Sequence, residues 1–224
     1  MTQADALNSP PVTAAQALHR LAAQFVVDAR FYASLGPRAD GGAGRLAWTI
    51  VSSRGLWMLT SHRIAHFCLR HHNVRSPVWL IARLCKSFAV GFNVLYCRAQ
   101  LAEDCDISGA VYLSNQGYIF CGALSVGTGS LIHDHTTLGQ RVAGGEAGRP
   151  TIGKDVWIGP DCVIAGPLTV GDGATVLPGS VVTFNVPPRA VVQGNPARIV
   201  RTNYDNRELR CSLSTVPDLG AASS

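Results

Sequence analysis

The sequence predicts a mainly β protein, a parallel β-helix built of six-residue repeats and entered through an N-terminal α-helical region. Three observations predict it. An aliphatic residue returns every six positions at Leu101, Ile107, Leu113 and Ile119, then Val126, Ile132 and Leu138, then Ile152, Ile158, Ile164, Val170, Val176 and Val182. Glycine often follows it, as in Val126-Gly127, Leu138-Gly139, Ile152-Gly153, Ile158-Gly159 and Val170-Gly171. Upstream of Ala99 this pattern is absent and helical patterning takes its place. A lone helix repeats near 3.6 residues and a lone strand near 2, so neither accounts for the period. Three hexads close a triangular coil of about eighteen residues, with the aliphatic residues inside and coil stacked on coil.

Composition allows this and narrows the function. The chain has 224 residues, 47% hydrophobic and only 15% charged, with 23 glycines, as a tightly turning repeat requires. The net charge of +5 suits an anionic small molecule. Lys and Arg are dispersed along the sequence with no basic stripe, which argues against a nucleic-acid partner. The seven cysteines have no C-x-x-C spacing, so no structural metal is expected. Their odd number fits free thiols in a reducing compartment. The first ten residues do not read as a signal peptide. A cytoplasmic location is expected, with a peripheral place at the inner membrane surface left open.

The elements follow in order. Residues 1–12 read as disordered. Thr13 to Leu35 is helical, with Thr13 as N-cap and Leu18, Leu21, Phe25 and Val26 on one face. Arg38 to Gly44 is a Gly-rich loop. A second helix covers Arg45 to His72, and Ser76-Pro77 opens a third. The apolar run Pro77 to Cys97 contains Arg83 and Lys86, which makes it a poor transmembrane span. A plain buried helix fits it better than an interfacial one. The division is thus 1–100 helical, 101–200 β-helical, and 201–224 a polar tail. Two irregularities break the repeat: Ile119 to Val126 is seven residues, and Leu138 to Ile152 is fourteen. The second holds a polar, Gly-rich insertion from Gln140 to Pro150, and such insertions collect on one side of a repeat protein as a binding face.

The hexads, the insertion and the closing segment from Val186 to Val200 resemble the left-handed β-helix (hexapeptide-repeat) acyltransferases, above all serine acetyltransferases and saccharide O-acetyltransferases. Ser61-His-Arg-Ile-Ala-His-Phe67 also resembles the helix that precedes the repeat in serine acetyltransferases. The resemblance implies a left-handed parallel β-helix, acetyl-CoA as acyl donor with no metal, and a homotrimer, with a dimer of trimers left open. It implies no transmembrane segment. The departures are as telling. The Asp-His pair of serine acetyltransferases falls on Ser114 and Asn115, the Asp that supports the His falls on Gln100, and a second active-site His falls on Arg149. Asn and Gln take no proton at neutral pH, so that dyad is missing.

A hydroxyl attacking a thioester needs a base, an oxyanion donor and an aligned donor group. His133 and His135 in Ile132-His-Asp-His-Thr-Thr137 are the candidate bases, with His135 favoured. Their hexad stacks one coil beyond Leu113-Ser-Asn-Gln, so His133 neighbours Ser114 and His135 neighbours Gln116. Alternation along a strand predicts that both imidazoles face outward and Asp134 the other way. Packing or interface roles are the alternative. Asn115 is a candidate oxyanion donor. Tyr112, Tyr118 and Phe120 are expected beside the cleft as faces for a sugar ring or as interface filler, with Ser114 and Arg149 on the acceptor side. His19, His62, His66, His71 and His72 are expected to be structural.

On the coenzyme side, the resemblance implies backbone contacts at Gly159, Ala165, Gly166 and Gly179, each of which equally suits a coil corner. It also implies contacts from Trp157 and Thr183, and from Arg198 and Arg201, whose guanidinium forks suit phosphate. The expected function is acetyl-CoA-dependent O-acetylation of a sugar, polysaccharide or specialised-metabolite hydroxyl by direct transfer. The alternatives are serine O-acetylation, and a catalytically silent β-helix serving as scaffold or binding subunit.

Overall fold

The computed structural model describes residues 14–35, 43–70, 77–140 and 147–212. Helices α1 (Ala14–Leu35), α2 (Ala43–Ser52), α3 (Arg54–Arg70) and α4 (Pro77–Phe92) come first, and a π-helical turn, Asn93–Cys97, follows α4. Fifteen short strands then wind into a three-faced coil, and a last helix, α5 (Arg207–Ser212), closes the described chain. The first face stacks β1 (Gln100–Leu101), β4 (Phe120–Cys121), β7 (Thr137–Gly139), β10 (Val163–Ala165) and β13 (Val181–Val182). The second stacks β2 (Asp106–Ile107), β5 (Ser125–Val126), β8 (Thr151–Ile152) and β11 (Thr169–Val170). The third stacks β3 (Tyr112–Leu113), β6 (Leu131–Ile132), β9 (Trp157–Ile158), β12 (Thr175–Val176) and β14 (Val191–Gln193). All these pairings are parallel, and β15 (Arg198–Arg201) returns antiparallel on β14.

The aliphatic repeat fills the inside of the coil, where Val126, Ile132, Ile158, Ile164, Val170, Val176 and Val182 are fully buried. One position differs from the sequence reading. The ladder pairs Leu101 with Cys121 and Cys121 with Leu138, so Cys121 takes the inward site assigned to Ile119. Ile119 is buried two residues earlier, where other hexads carry Val111, Val156 or Cys162. The break is therefore a long step of eight residues from Leu113 to Cys121, then a short one of five to Val126. A buried thiol behaves as a small hydrophobe, which lets Cys stand in an aliphatic series. The cysteines are not joined in disulfides.

A solenoid leaves unpaired strand edges at its ends, and these need partners. Helices α1 and α3 supply them for the first coil. The Tyr32 hydroxyl donates to Leu113 O at 3.0 Å and accepts from Leu113 N at 2.8 Å, serving both backbone groups of one edge residue. Arg63 donates to Ile107 O and Ser108 O, both at 3.0 Å, and its other contacts fork onto Asp28 at 2.8 and 3.1 Å. Asp28 in turn accepts from Ala110 N at 2.9 Å. His62 and His66 reach Ala102 O and Glu103 O at 3.0 and 2.7 Å. The buried Arg63–Asp28 charges are thus paired and hydrogen-bonded, as burial demands. These roles agree with the structural part expected of His62 and His66; His71 and His72 lie outside the described residues.

The second predicted helix is broken at Ser53 into α2 and α3. The break seats the first turn of α3 on β3, with Gly55 against the Leu113 carbonyl. The 77–97 segment is not the plain buried helix expected: Leu84, Phe88 and Leu95 stand largely in solvent. At the other end, Asn206 donates to Asp155 O at 2.9 Å and α5 is tied to Asp155 by Arg210 at 2.7 Å, so part of the predicted tail is ordered structure.

Two predictions follow from the capped first coil. A Cβ at Gly55 would overlap the Leu113 backbone, whereas one at Gly44 meets open space. Gly55→Ala is expected to lower the thermal midpoint by several degrees, while Gly44→Ala leaves it unchanged or raised, as differential scanning calorimetry would measure. His62 is the second case, because burial depresses its imidazole to about 4. The unfolded chain, near 6.5, then binds the extra proton, so stability is complete above about pH 6.5 and falls as pH drops toward 4. The loss approaches about 3 kcal/mol. Urea denaturation across this range should show the slope, flattened in His62→Gln.

Candidate active site

The long step from Leu113 to Cys121 makes an enlarged corner, and the candidate site lies around it. Gly117 and Tyr118 hold left-handed backbone there, at φ 82° and 58°. A Cβ at Gly117 would overlap the Cys97 carbonyl, so only glycine fits this approach. The same corner carries left-handed residues in neighbouring coils: Arg98 at φ 52°, His135 at 53° and Asp161 at 57°. Arg98 O accepts from Tyr118 N at 2.7 Å, and Asp134 O from Asp161 N at 3.1 Å. The corner is therefore a column of side chains running Arg98, Tyr118, His135, Asp161.

The two histidines part company at this corner. Strand β6 ends at Ile132, so residues 133–135 form a turn and the strand alternation expected of them does not apply. His133 is 4% exposed, wedged between Tyr112 and Trp157 with ring centroids at 6.3 and 4.9 Å. Its Nδ1–H donates to Ile158 O at 2.7 Å, and its Nε2 is enclosed with no partner among the described residues. Burial lowers its pKa. His135 points outward, its side chain about half exposed, stacked on the Tyr118 ring at 4.9 Å. Its Nδ1 lies 3.3 Å from Asp134 Oδ2 and 3.8 Å from Asp161 Oδ1. Asp134 therefore shares the site with His135 instead of facing away from it.

Asp134 is itself positioned. Ser114 Oγ donates to Asp134 Oδ1 at 3.3 Å and accepts from Gln116 N at the same distance. One carboxylate oxygen meets Ser114 and the other meets His135. The register Leu113↔Ile132 brings Ser114 beside this turn, as the repeat predicted. His135, however, meets Tyr118, not Gln116, because the corner is longer than one hexad. A carboxylate–imidazole pair with Nε2 facing outward can accept a proton from a hydroxyl.

The remaining expected residues divide. Asn115 Oδ1 accepts the Gly55 N–H at 3.0 Å, capping an otherwise orphan first-turn donor of α3. Its carbonyl is committed to the fold. Tyr112 is buried against Tyr32 at 5.0 Å, while Tyr118 and Phe120 are exposed. Gln100 is exposed beside Phe120 in the ladder. Arg149 forks onto Asp104, both contacts at 2.9 Å, and this bond holds the Asp104 carboxyl below its ordinary range. Residues 141–146 of the insertion lie outside the described residues.

On the opposite edge of β7 and β10, the ladder aligns Ala102, Gly122, Gly139, Ala165 and Thr183 just past each inward residue of the first face. A Cβ at Gly139 would meet nothing within 4 Å, so this strip of small residues is low and open at that point. Gly166, at φ 113°, follows it. Thr183, Arg198 and Arg201 are exposed, and Ala197 N–H donates to Val181 O at 2.9 Å, bringing the start of β15 to β13. Trp157 and Gly159 do not join the strip. Trp157 is fully buried beside His133, and Gly159 has no Cβ because Pro178 and Trp157 press on it. Gly179, at φ 70°, serves the corner column. Among the described residues, no three His, Cys, Asp or Glu side chains gather as metal ligands.

Sequence reasoning missed Asp134 as the partner of its own neighbour, Asp161 as a second carboxylate, and Arg98. The signal available was the overlong corner, which a strand-based reading of 132–137 ignores.

Comparison with known proteins agrees with this architecture. Residues 149–183 match the family model described as bacterial transferase hexapeptide (six repeats). A chloramphenicol acetyltransferase of Agrobacterium fabrum is 47% identical over 67 residues, 30% of this chain and 32% of that one. Serine acetyltransferase 2 of Arabidopsis thaliana is 29% identical over 154 residues, 68% of this chain and 45% of that one. The chain thus spans less than half the length of these curated relatives. The crystal structure of serine acetyltransferase from Vibrio cholerae superposes with a TM-score of 0.72 at 23% identity, covering 88% of this chain and 72% of that one. Residues 149–183 thus carry the hexapeptide repeat of bacterial transferases, and parts of the chain are similar to acetyltransferases that share its three-faced parallel coil.

Proposed function

We propose that the protein is an acetyl-CoA-dependent O-acetyltransferase acting on a hydroxyl of a sugar, polysaccharide or specialised metabolite, with His135 as general base. The observation that carries this reading is the Asp134–His135 pair at the coil corner one turn beyond Ser114–Asn115, with the imidazole about half exposed. The coil is read as left-handed, with residues 101–200 as the acyltransferase unit and 1–100 as its helical cap. The assembly is read as a homotrimer working in the cytoplasm.

Asp134 holds the imidazole so that Nδ1 carries a proton and Nε2 is free to accept one. Stacking on Tyr118 fixes the ring plane. The acceptor hydroxyl gives its proton to His135 Nε2 as its oxygen takes the acetyl group, and the proton passes to the departing thiolate. No acyl-enzyme forms. Tyr118 and Phe120 offer exposed aromatic faces to a sugar ring. Bound acetyl-CoA supplies the activated acyl group. The low strip Gly139–Ala165–Thr183 suits an extended amide-bearing arm, and Arg198 and Arg201 suit its phosphates. Relatives that acetylate chloramphenicol and serine, as their names state, support a hydroxyl acceptor.

Serine O-acetylation is the second reading, favoured by the shared fold with serine acetyltransferase. It is disfavoured by Asn115, whose amide holds Gly55 in place of a titrating group. A silent scaffold is the third, favoured by the same substitution. Thiol release from acetyl-CoA, measured with saccharides, chloramphenicol and serine in parallel, separates the three. His135→Ala is expected to lower kcat by about 100-fold or more, while His133→Ala keeps kcat within a few-fold and lowers the thermal midpoint. Unchanged turnover in a folded His135→Ala protein would sink the proposal, and no thiol release with any acceptor would favour the scaffold.

A further inference from the structure

The charge of the chain is unevenly divided between its two parts. Residues 1–100 carry eleven Lys and Arg against three Asp, a net of +8. Residues 101–224 carry eight Lys and Arg against eleven Asp and Glu, a net of −3, and the two sum to the +5 of the whole. One of the three acids, Asp28, is buried and neutralised by Arg63, so it offers nothing to solvent.

The same region exposes apolar side chains on one helical face. Helix α4 packs its inner side on the rest of the fold through Ala89 and through Phe92, which meets Trp57 edge-on at 6.5 Å. Its outer side presents Leu84 at 63% exposure and Phe88 at 76%, and the π-turn continues the row with Leu95 at 83%. Spacings of four and seven residues put these three in one line along the helix. Val94 and Tyr96 flank them, and the Arg54 guanidinium sits over the Tyr96 ring at 5.4 Å. Trp48 and Val51 on α2 are exposed to a similar degree. Isolated exposed apolar residues are ordinary, but a continuous apolar row marks a surface that is covered in use.

We propose that this face of α4 and the π-turn, set in the basic helical region, docks the protein on an anionic lipid surface. Charge selects the occupant. A second copy seated on the same face would bring +8 against +8, whereas an anionic bilayer neutralises it. A helix with an apolar row and cationic surroundings lies in the plane of the headgroups, its apolar side chains inserted. Among the described residues no helix is long and apolar enough to cross a membrane, so the contact is peripheral. The β-helix, net negative, would face away from the lipid.

Co-sedimentation of the full chain with vesicles tests this. Expected is binding to vesicles of phosphatidylcholine with about one-third phosphatidylglycerol, little binding to phosphatidylcholine alone, and release on raising salt from about 0.1 M to about 0.5 M. The double variant Phe88→Ser/Leu95→Ser should lose at least about tenfold in bound fraction, with circular dichroism and gel-filtration volume unchanged. In Phe88→Trp, fluorescence at the new indole should shift to the blue and be quenched by brominated lipid. Absence of binding to the anionic vesicles would overturn the proposal, as would equal binding to neutral ones. A double variant that keeps vesicle binding but dissociates the assembly would also overturn it, identifying the face as an interface between copies.

Discussion

The open edge of the first coil is the constraint on which the rest of the structure depends. A stacked parallel coil satisfies its own backbone everywhere except at its ends, and an unpaired edge invites further strands. Here the N-terminal helices close that edge by side chains rather than by another strand. Tyr32 serves both backbone groups of Leu113, Arg63 serves Ile107 and Ser108, and His62 and His66 reach Ala102 and Glu103. Polar residues of the helices are thereby consumed by the fold. For Tyr32 and Arg63 the cost of burial is offset by these partners.

The same closure accounts for the place of Asn115. Seating α3 on β3 brings Gly55 N–H to Asn115, and the Asn amide is spent as a cap. The enlarged corner that makes room for this contact also carries Tyr118 to the ring of His135. The helical cap and the proposed site are thus joined through one stretch, Ser114 to Ile119. The residue that could not be a base became a clamp, and the proposed base stands one coil further on. His133, inside the stack with Trp157, is the packing residue of the pair.

Much of the coil was legible in the sequence because its inward positions obey a strict period. The failures occurred where geometry departs from that period. Cys121 was overlooked because an aliphatic residue, Ile119, lay two positions earlier and fitted the count better. The outward pairing of His133 and His135 failed because a two-residue strand gives way to a left-handed turn at His135. Asn115 could be read as unable to titrate, but its contact with Gly55 spans sixty residues and leaves no local pattern. The exposed row on α4 was hidden for a different reason. An apolar run looks the same whether both of its sides are buried or only one.

A crystal structure of the full protein with coenzyme A bound tests the central claim most directly, that Asn115 belongs to the fold and His135 to the chemistry. The account predicts the coenzyme's sulfur within hydrogen-bonding reach of His135 Nε2, with Asn115 Oδ1 still accepting from Gly55. A sulfur lying against Asn115, with the Gly55 contact broken and His135 remote, would contradict it.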